Sequence, residues 1–200
     1  MYYSDEEINI RISQLPEFQT VISGKLPVDN YIVGIRSGDD APNRFDDVFY
    51  LRSGGITKLE TTGTTNPGTP VLNGGFRNWN KEGAAVVESN RIYRNLWQPG
   101  YHQGEVKALK QTGNAITIYR DGNRNNKSEQ IGRRSTGYYG INFHPDEFDI
   151  KEDNRSDDAG INGWSAGCQV NNRMDDYNII IDTVWNQKFV TFILLDEFSV

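Results

Sequence analysis

Gly140-Ile141-Asn142-Phe143-His144-Pro145 and, after an acidic stretch, Asn162-Gly163-Trp164-Ser165-Ala166-Gly167-Cys168-Gln169-Val170 form the segment on which the reading of this chain turns. The first part reads as a β-strand that ends at His144, and the second as a turn of small residues leading into Cys168. A cysteine attacks as its thiolate. It therefore needs an imidazole to take its proton and backbone N–H groups to steady the oxyanion that forms on the attacked carbonyl. Ala166 and Gly167 let a carbonyl come close to the backbone, and a strand ending at His144 sets the ring opposite the sulfur. Cys168 is the only cysteine, so the chain has no internal disulfide and no Cys-rich zinc cluster. Composition by itself leaves that thiol as either a small buried residue or a reactive one.

On the N-terminal side, short β-branched and aromatic runs (Tyr31 to Ile35, Val48 to Leu51, Ala84 to Val87, Ile92 to Leu96, Ala115 to Tyr119 and Tyr138 to Phe143) alternate with segments rich in Gly, Asn, Asp and Pro. That rhythm predicts a mostly β fold, a β-sandwich or open barrel, with few short helices. Gly54 to Gly75 reads as one long loop of small residues, the kind that carries function. Helices are expected at the two ends. Ser4 and Glu7 have capping-box spacing, with Ile8, Ile12 and Leu15 on one face before Pro16 interrupts. Arg173 to Trp185 places Met174, Tyr177, Ile181 and Val184 on one face, and a buried strand from Phe189 to Leu195 follows. Two hundred residues suit one domain, read here as a helical appendage over residues 1–29 and a catalytic domain over residues 30–200.

The charge and apolar pattern exclude some partners. Acidic residues outnumber basic ones, 27 to 21, for a net charge of −6, which leaves no basic stripe for nucleic acid. The longest apolar run, Phe189 to Leu195, is far below the ~20 residues that span a bilayer, so no transmembrane segment is expected. The start, Met1-Tyr2-Tyr3-Ser4-Asp5-Glu6-Glu7, is acidic where a secretory leader would be basic, so no signal peptide is read there.

Ser-x-Gly-Cys, preceded by a strand ending in His and followed by an Asn and a helix, resembles the signature of the L,D-transpeptidases, the YkuD-like family, whose catalytic cysteine closes a Ser-His-Gly-Cys motif. The resemblance is sharp over Gly140 to Asp176. It is looser over Tyr31 to Phe143, where a strand, a Thr-Gly turn and Pro67 to Pro70 are similar to the family's upstream sheet. It implies a fold of that type, with Cys168 as nucleophile, His144 as general base and Ser165 shaping the turn. The N–H groups of Gly167 and Cys168 would form the oxyanion hole, and the carbonyl of Pro145 would orient the imidazole. Trp164, Pro145, Gln169 and Arg173 are the positions expected to meet substrate.

Three departures bear on the substrate. Ala166 stands where the family usually has a second His, Gln169-Val170 replaces an apolar residue followed by Arg or Asn, and His144 precedes Cys168 by an unusually long 24 positions. Loss of that Arg removes a donor for a substrate carboxylate, for which Arg173 or the Arg133-Arg134 pair are the substitutes considered. Papain-like and NlpC/P60-like peptidases place Cys before His, and caspases have a different local Cys signature, so these rivals fit poorly.

The resemblance implies a transferase or hydrolase, a cysteine peptidase-like acyl-transferase that forms a thioester with a peptidoglycan stem peptide at the bacterial cell wall or periplasm, with no cofactor and no metal. The alternative is a component of a phage or secretion particle that uses the fold to bind or hydrolyse the wall. Other features have plainer readings. Asp121 to Asn126 resembles the start of a calcium loop but lacks the Gly at position six and the Glu at position twelve, so a polar hairpin turn is expected. The seven acidic residues between Asp146 and Asp158 read as a solvated loop. His102 with His144, Cys168 and a carboxylate is a weak zinc candidate. Trp79, Trp97 and Trp164 are candidates for stacking on a sugar or peptide.

Overall fold

The computed structural model describes residues 3–39, 43–75, 80–146 and 160–199. It is mostly β, as expected. Two helices come first, α1 (Asp5–Ser13) and α2 (Glu17–Ile22), and the capping box is formed: Ser4 Oγ accepts from the Glu7 N–H while the Glu7 carboxylate accepts from the Ser4 N–H. Three strands follow, β1 (Tyr31–Arg36), β2 (Asp47–Ser53) and β3 (Ile56–Thr64), then a single turn α3 (Thr69–Leu72). Next come β4 (Ala84–Val87), β5 (Arg91–His102), β6 (Val106–Gln111), β7 (Ile116–Asp121), β8 (Arg133–Gly137) and the short β9 (Phe143–Pro145). The chain ends with β10 (Gln169–Asn171), α4 (Met174–Val184) and β11 (Val190–Asp196).

The expected sandwich or open barrel is corrected to a closed barrel in the order β1-β11-β5-β6-β9-β10-β3-β2, with β4, β7 and β8 as a separate sheet. Closure comes from β1, which pairs antiparallel with β2 on one edge and parallel with β11 on the other. Both β1 and β11 are apolar along their length because both faces are covered. Ile32, Phe192 and Leu194 join the main core with Trp97, Phe143 and Tyr177. Tyr31, Val33, Ile35, Ile193 and Leu195 instead meet Ile8, Ile12, Leu15 and Ile22 of the first two helices. Full burial of Ile8 and Ile12 stabilises that contact by about 2 kcal/mol each. The fully buried Arg52 ties α1 down further, donating to Asn9 and to the Gly55 carbonyl and pairing with Asp5 at 3.3 Å.

Two segments differ from expectation. Gly54 to Gly75 is not one loop, because Ile56–Thr64 is a strand. Its polar Lys, Glu and Thr side chains lie on a partly solvated barrel wall, so it lacks the apolar run that marks the other strands. The predicted strand Tyr138 to Phe143 is irregular backbone up to Asn142, between β8, which ends at Gly137, and β9, which begins at Phe143, with Gly140 in a left-handed conformation (φ 72°).

The barrel wall is thinnest at β9 and β10. A single residue pair joins β6 to β9, three join β9 to β10, and two join β10 to β3. Since β9 and β10 run parallel, the chain needs a crossover between them, which accounts for the long separation of His144 from Cys168. Most of the acidic stretch, residues 147–159, lies outside the described residues, as does Trp79.

Candidate active site

The turn before Cys168 is held from several sides. Ser165 is fully buried; its hydroxyl accepts from the Gly167 N–H at 3.1 Å and donates to the Cys168 carbonyl at 2.8 Å. Its own carbonyl accepts from the Gly68 N–H at 2.9 Å, so the Pro67 to Pro70 segment braces the motif from behind. A side chain on Gly68 would collide with the Asn162 carbonyl, which is why glycine stands there. The brace is anchored in turn by the fully buried Asp47, whose carboxylate accepts from the Ser37 N–H (2.7 Å) and from the Thr65 N–H and hydroxyl (2.6 and 2.7 Å). Arg36 then donates to the Thr65 hydroxyl at 2.9 Å.

Cys168 emerges half-buried just before β10. Its thiol donates to the Gly140 carbonyl at 3.4 Å, and its sulfur accepts from the Asn142 N–H at 3.4 Å. Burial pushes the thiol up to about 11, against the opposing effect of the Asn142 N–H. In the parallel ladder His144 is the register partner of Val170, two residues beyond Cys168 and therefore on the same face of the strand pair. The His144 ring is 2% exposed, and Nδ1 donates to the Pro145 carbonyl at 2.8 Å, the contact the resemblance implies for it. A carbonyl can only accept, so the neutral ring carries its proton on Nδ1 and a lone pair on Nε2. Burial pulls this imidazole down to about 4; the Pro145 carbonyl opposes that shift and neighbouring His102 adds to it.

His102, on β5, stacks on His144 with ring centroids 4.3 Å apart and planes 19° off parallel. Asn142 fixes its orientation. The Asn142 side-chain oxygen accepts from the Gln111 N–H at 2.9 Å, which turns its amide nitrogen toward His102 Nδ1 at 3.2 Å. The open space over the sulfur is walled by Asn80, Ala85, His102, Arg120, Tyr139 and Ala166, together with Gly140 and Ile141. Sequence reasoning weighed His102 only as a metal ligand and passed over Arg120, Asn142 and Tyr139. One of just two histidines in the chain was a usable signal. For Arg120 no sequence signal existed.

Several expected positions fall elsewhere. Gln169 is fully buried, donates to the Gly167 carbonyl at 3.3 Å and sits in register with the core residue Phe143, so strand alternation turns it away from the pocket. Trp164 is half-buried in the preceding loop and is not in the pocket wall. Pro145 is buried and contributes its carbonyl to His144 rather than a surface to substrate. Arg173 opens α4 and lines a separate cleft with Arg44, Asp46 and Thr62. Arg133 and Arg134 are paired with Glu82 and Glu88 at 2.6 and 2.7 Å. The expected oxyanion pair is reduced, because the Gly167 N–H is engaged by Ser165 while the Cys168 N–H has no partner among the described residues. No group of three His, Cys, Asp or Glu side chains suited to a metal occurs among the described residues. Asp121 to Glu129 is a hairpin loop closed by bonds from the Asn123 and Asn125 amides to Glu129. Among the described residues no helix is long and apolar enough to cross a membrane.

At neutral pH the resting site therefore holds a neutral thiol and a neutral imidazole instead of an ion pair. A shift from the usual 9.0 to about 11 cuts the thiolate fraction roughly a hundredfold. The greater nucleophilicity of a more basic thiolate returns part of that loss. Alkylation of Cys168 by iodoacetamide at pH 7 is expected to run about tenfold slower than in the urea-unfolded chain and to climb with pH beyond 9. Full-speed alkylation with a plateau below pH 7 would reveal a thiolate–imidazolium pair and contradict this account.

Comparison of the chain with protein-family models, curated sequences and solved structures returned no match.

Proposed function

We propose that this protein is a cysteine acyl-transferase of the L,D-transpeptidase type, with that family's fold, acting on peptidoglycan stem peptides through a Cys168 thioester. One observation carries the reading: a buried, neutral His144, locked by the Pro145 carbonyl so that Nε2 holds a lone pair, lies on the strand paired with the one that Cys168 leads into. In the proposed reaction the thiol turns from the Gly140 carbonyl and passes its proton to His144 Nε2 as sulfur attacks the meso-diaminopimelate carbonyl of the amide bond to D-alanine. The Cys168 N–H faces the developing oxyanion. When the C–N bond breaks, the imidazolium returns the proton to the departing D-alanine amine and a thioester remains. An acceptor amine then yields a cross-link, or water yields the free acid, and either step restores the thiol.

A second reading is a wall-binding module of a phage or injection particle that performs no turnover. It is favoured by the thiol being held protonated by burial and donating to the Gly140 carbonyl. Incubation of purified muropeptides with the protein and with Cys168→Ala separates the two. The acyl-transferase reading expects D-alanine release or new cross-links with the unaltered protein only. Binding without any change in the muropeptides would leave the module reading in its place.

A further inference from the structure

The pocket over Cys168 continues past the thiol. Asn80, Arg120 and Ala166 line both this pocket and an adjoining cavity, whose far wall carries Lys81, Asp121 and Arg124. Arg120 is weakly satisfied: Nη1 reaches only the Gly83 carbonyl, at 3.4 Å, Nε is buried without a hydrogen-bond partner, and the guanidinium lies 5.4 Å over the Tyr139 ring. Among the described residues no carboxylate comes within ion-pair distance of Arg120, Lys81 or Arg124. The neighbouring acids are occupied elsewhere. Glu82 pairs with Arg133, Glu88 pairs with Arg134 and Arg91, and Asp121 accepts the N–H groups of Asn123 and Glu129.

This distribution runs against the protein's overall charge. In a chain with six more acidic than basic residues, three cations without acidic partners among the described residues gather along one groove beside the only cysteine. Leaving a partly buried guanidinium nitrogen without an acceptor costs free energy, and a carboxylate is the partner whose two oxygens match the guanidinium fork. We infer that the groove is a carboxylate-reading subsite for an acidic peptide. Arg120 pairs a carboxylate near the attacked carbonyl, and Lys81 and Arg124 read a second one farther along. The placement relative to the scissile bond rests on Cys168 being the nucleophile; the anion preference does not. Arg120 thereby takes the part that sequence reasoning sought in Arg173, Arg133 and Arg134.

Titration calorimetry on the Cys168→Ala protein tests the subsite without chemistry. The probes are a synthetic L-Ala-γ-D-Glu-meso-diaminopimelate-D-Ala tetrapeptide and the same peptide with its carboxyls amidated. The free acid is expected to bind at least tenfold tighter, with a preference that shrinks as salt is raised. Adding Arg120→Gln should remove most of the preference, while Arg120→Lys should keep more of it. The exposed double variant Lys81→Ala/Arg124→Ala, which leaves Arg120 and its packing on Tyr139 intact, should lower the preference severalfold. Equal binding of the two peptides, or an undiminished preference in Arg120→Gln, overturns the subsite. Acylation of the unaltered protein is read separately: a charge preference without an acyl adduct keeps the subsite and removes the acyl-transferase reading. Adducts formed equally fast from the amidated peptide do the reverse.

Discussion

Replacing His144 by alanine is expected to slow acylation of Cys168 by about a thousandfold, the scale of a lost general base. Because the wild-type imidazole stays neutral until the pH falls to about 4, kcat/KM should drop on the acid side through that value and not near 6.5. In His144→Ala that acid limb should disappear. A limb that stays at the same pH would assign the essential base to another group, with His102, stacked on the same ring, the first to examine. The same shift has a stability consequence. The unfolded chain takes up a proton near the ordinary 6.5 and the folded chain only near 4. Stability contributed above pH 6.5 is therefore lost as pH falls through that window, at most ~3 kcal/mol. Urea unfolding of His144→Ala between pH 7 and 4 should show a correspondingly shallower loss.

Gly167→Ala is expected to be the most damaging small substitution in the motif. Gly167 has φ 134°, where side chains are strained, and an added Cβ would stand 2.5 Å from the Ala85 carbonyl and 2.8 Å from the Ala85 side chain. The turn cannot move away easily, because Ser165 holds it from within and the Ala85 N–H donates to the Ala166 carbonyl at 3.4 Å. A loss of about 3 kcal/mol in urea unfolding, with collapse of acylation, is the expected result. Near wild-type stability with full activity would mean that the turn is not built as described.

How much of this was legible in the sequence depended on whether the cause was local. The α1 capping box, the apolar face of α4 and the strand near the C-terminus follow from periodicity and capping, and each is present within a residue or two. The Ser165-to-Cys168 turn was legible for the same reason, since small residues around a cysteine report on nearby backbone. Closure of the barrel was not legible, because it depends on β1 pairing with a strand some 160 positions away. Strand β3 was hidden by its polar face. Gln169 was assigned to substrate from its place in the motif, yet the two-residue alternation of β10 turns it into the core beside Phe143. His102 and Arg120 reach the pocket from β5 and β7, strands that come close to the motif only in three dimensions.

Intact-protein mass spectrometry after brief incubation with the tetrapeptide tests the central claim most directly. The account predicts one acyl adduct equal to the peptide less its terminal D-alanine, located on Cys168, removed by hydroxylamine and absent from Cys168→Ala. A protein that binds the tetrapeptide yet gains no such mass, or an adduct that persists in Cys168→Ala, would contradict it.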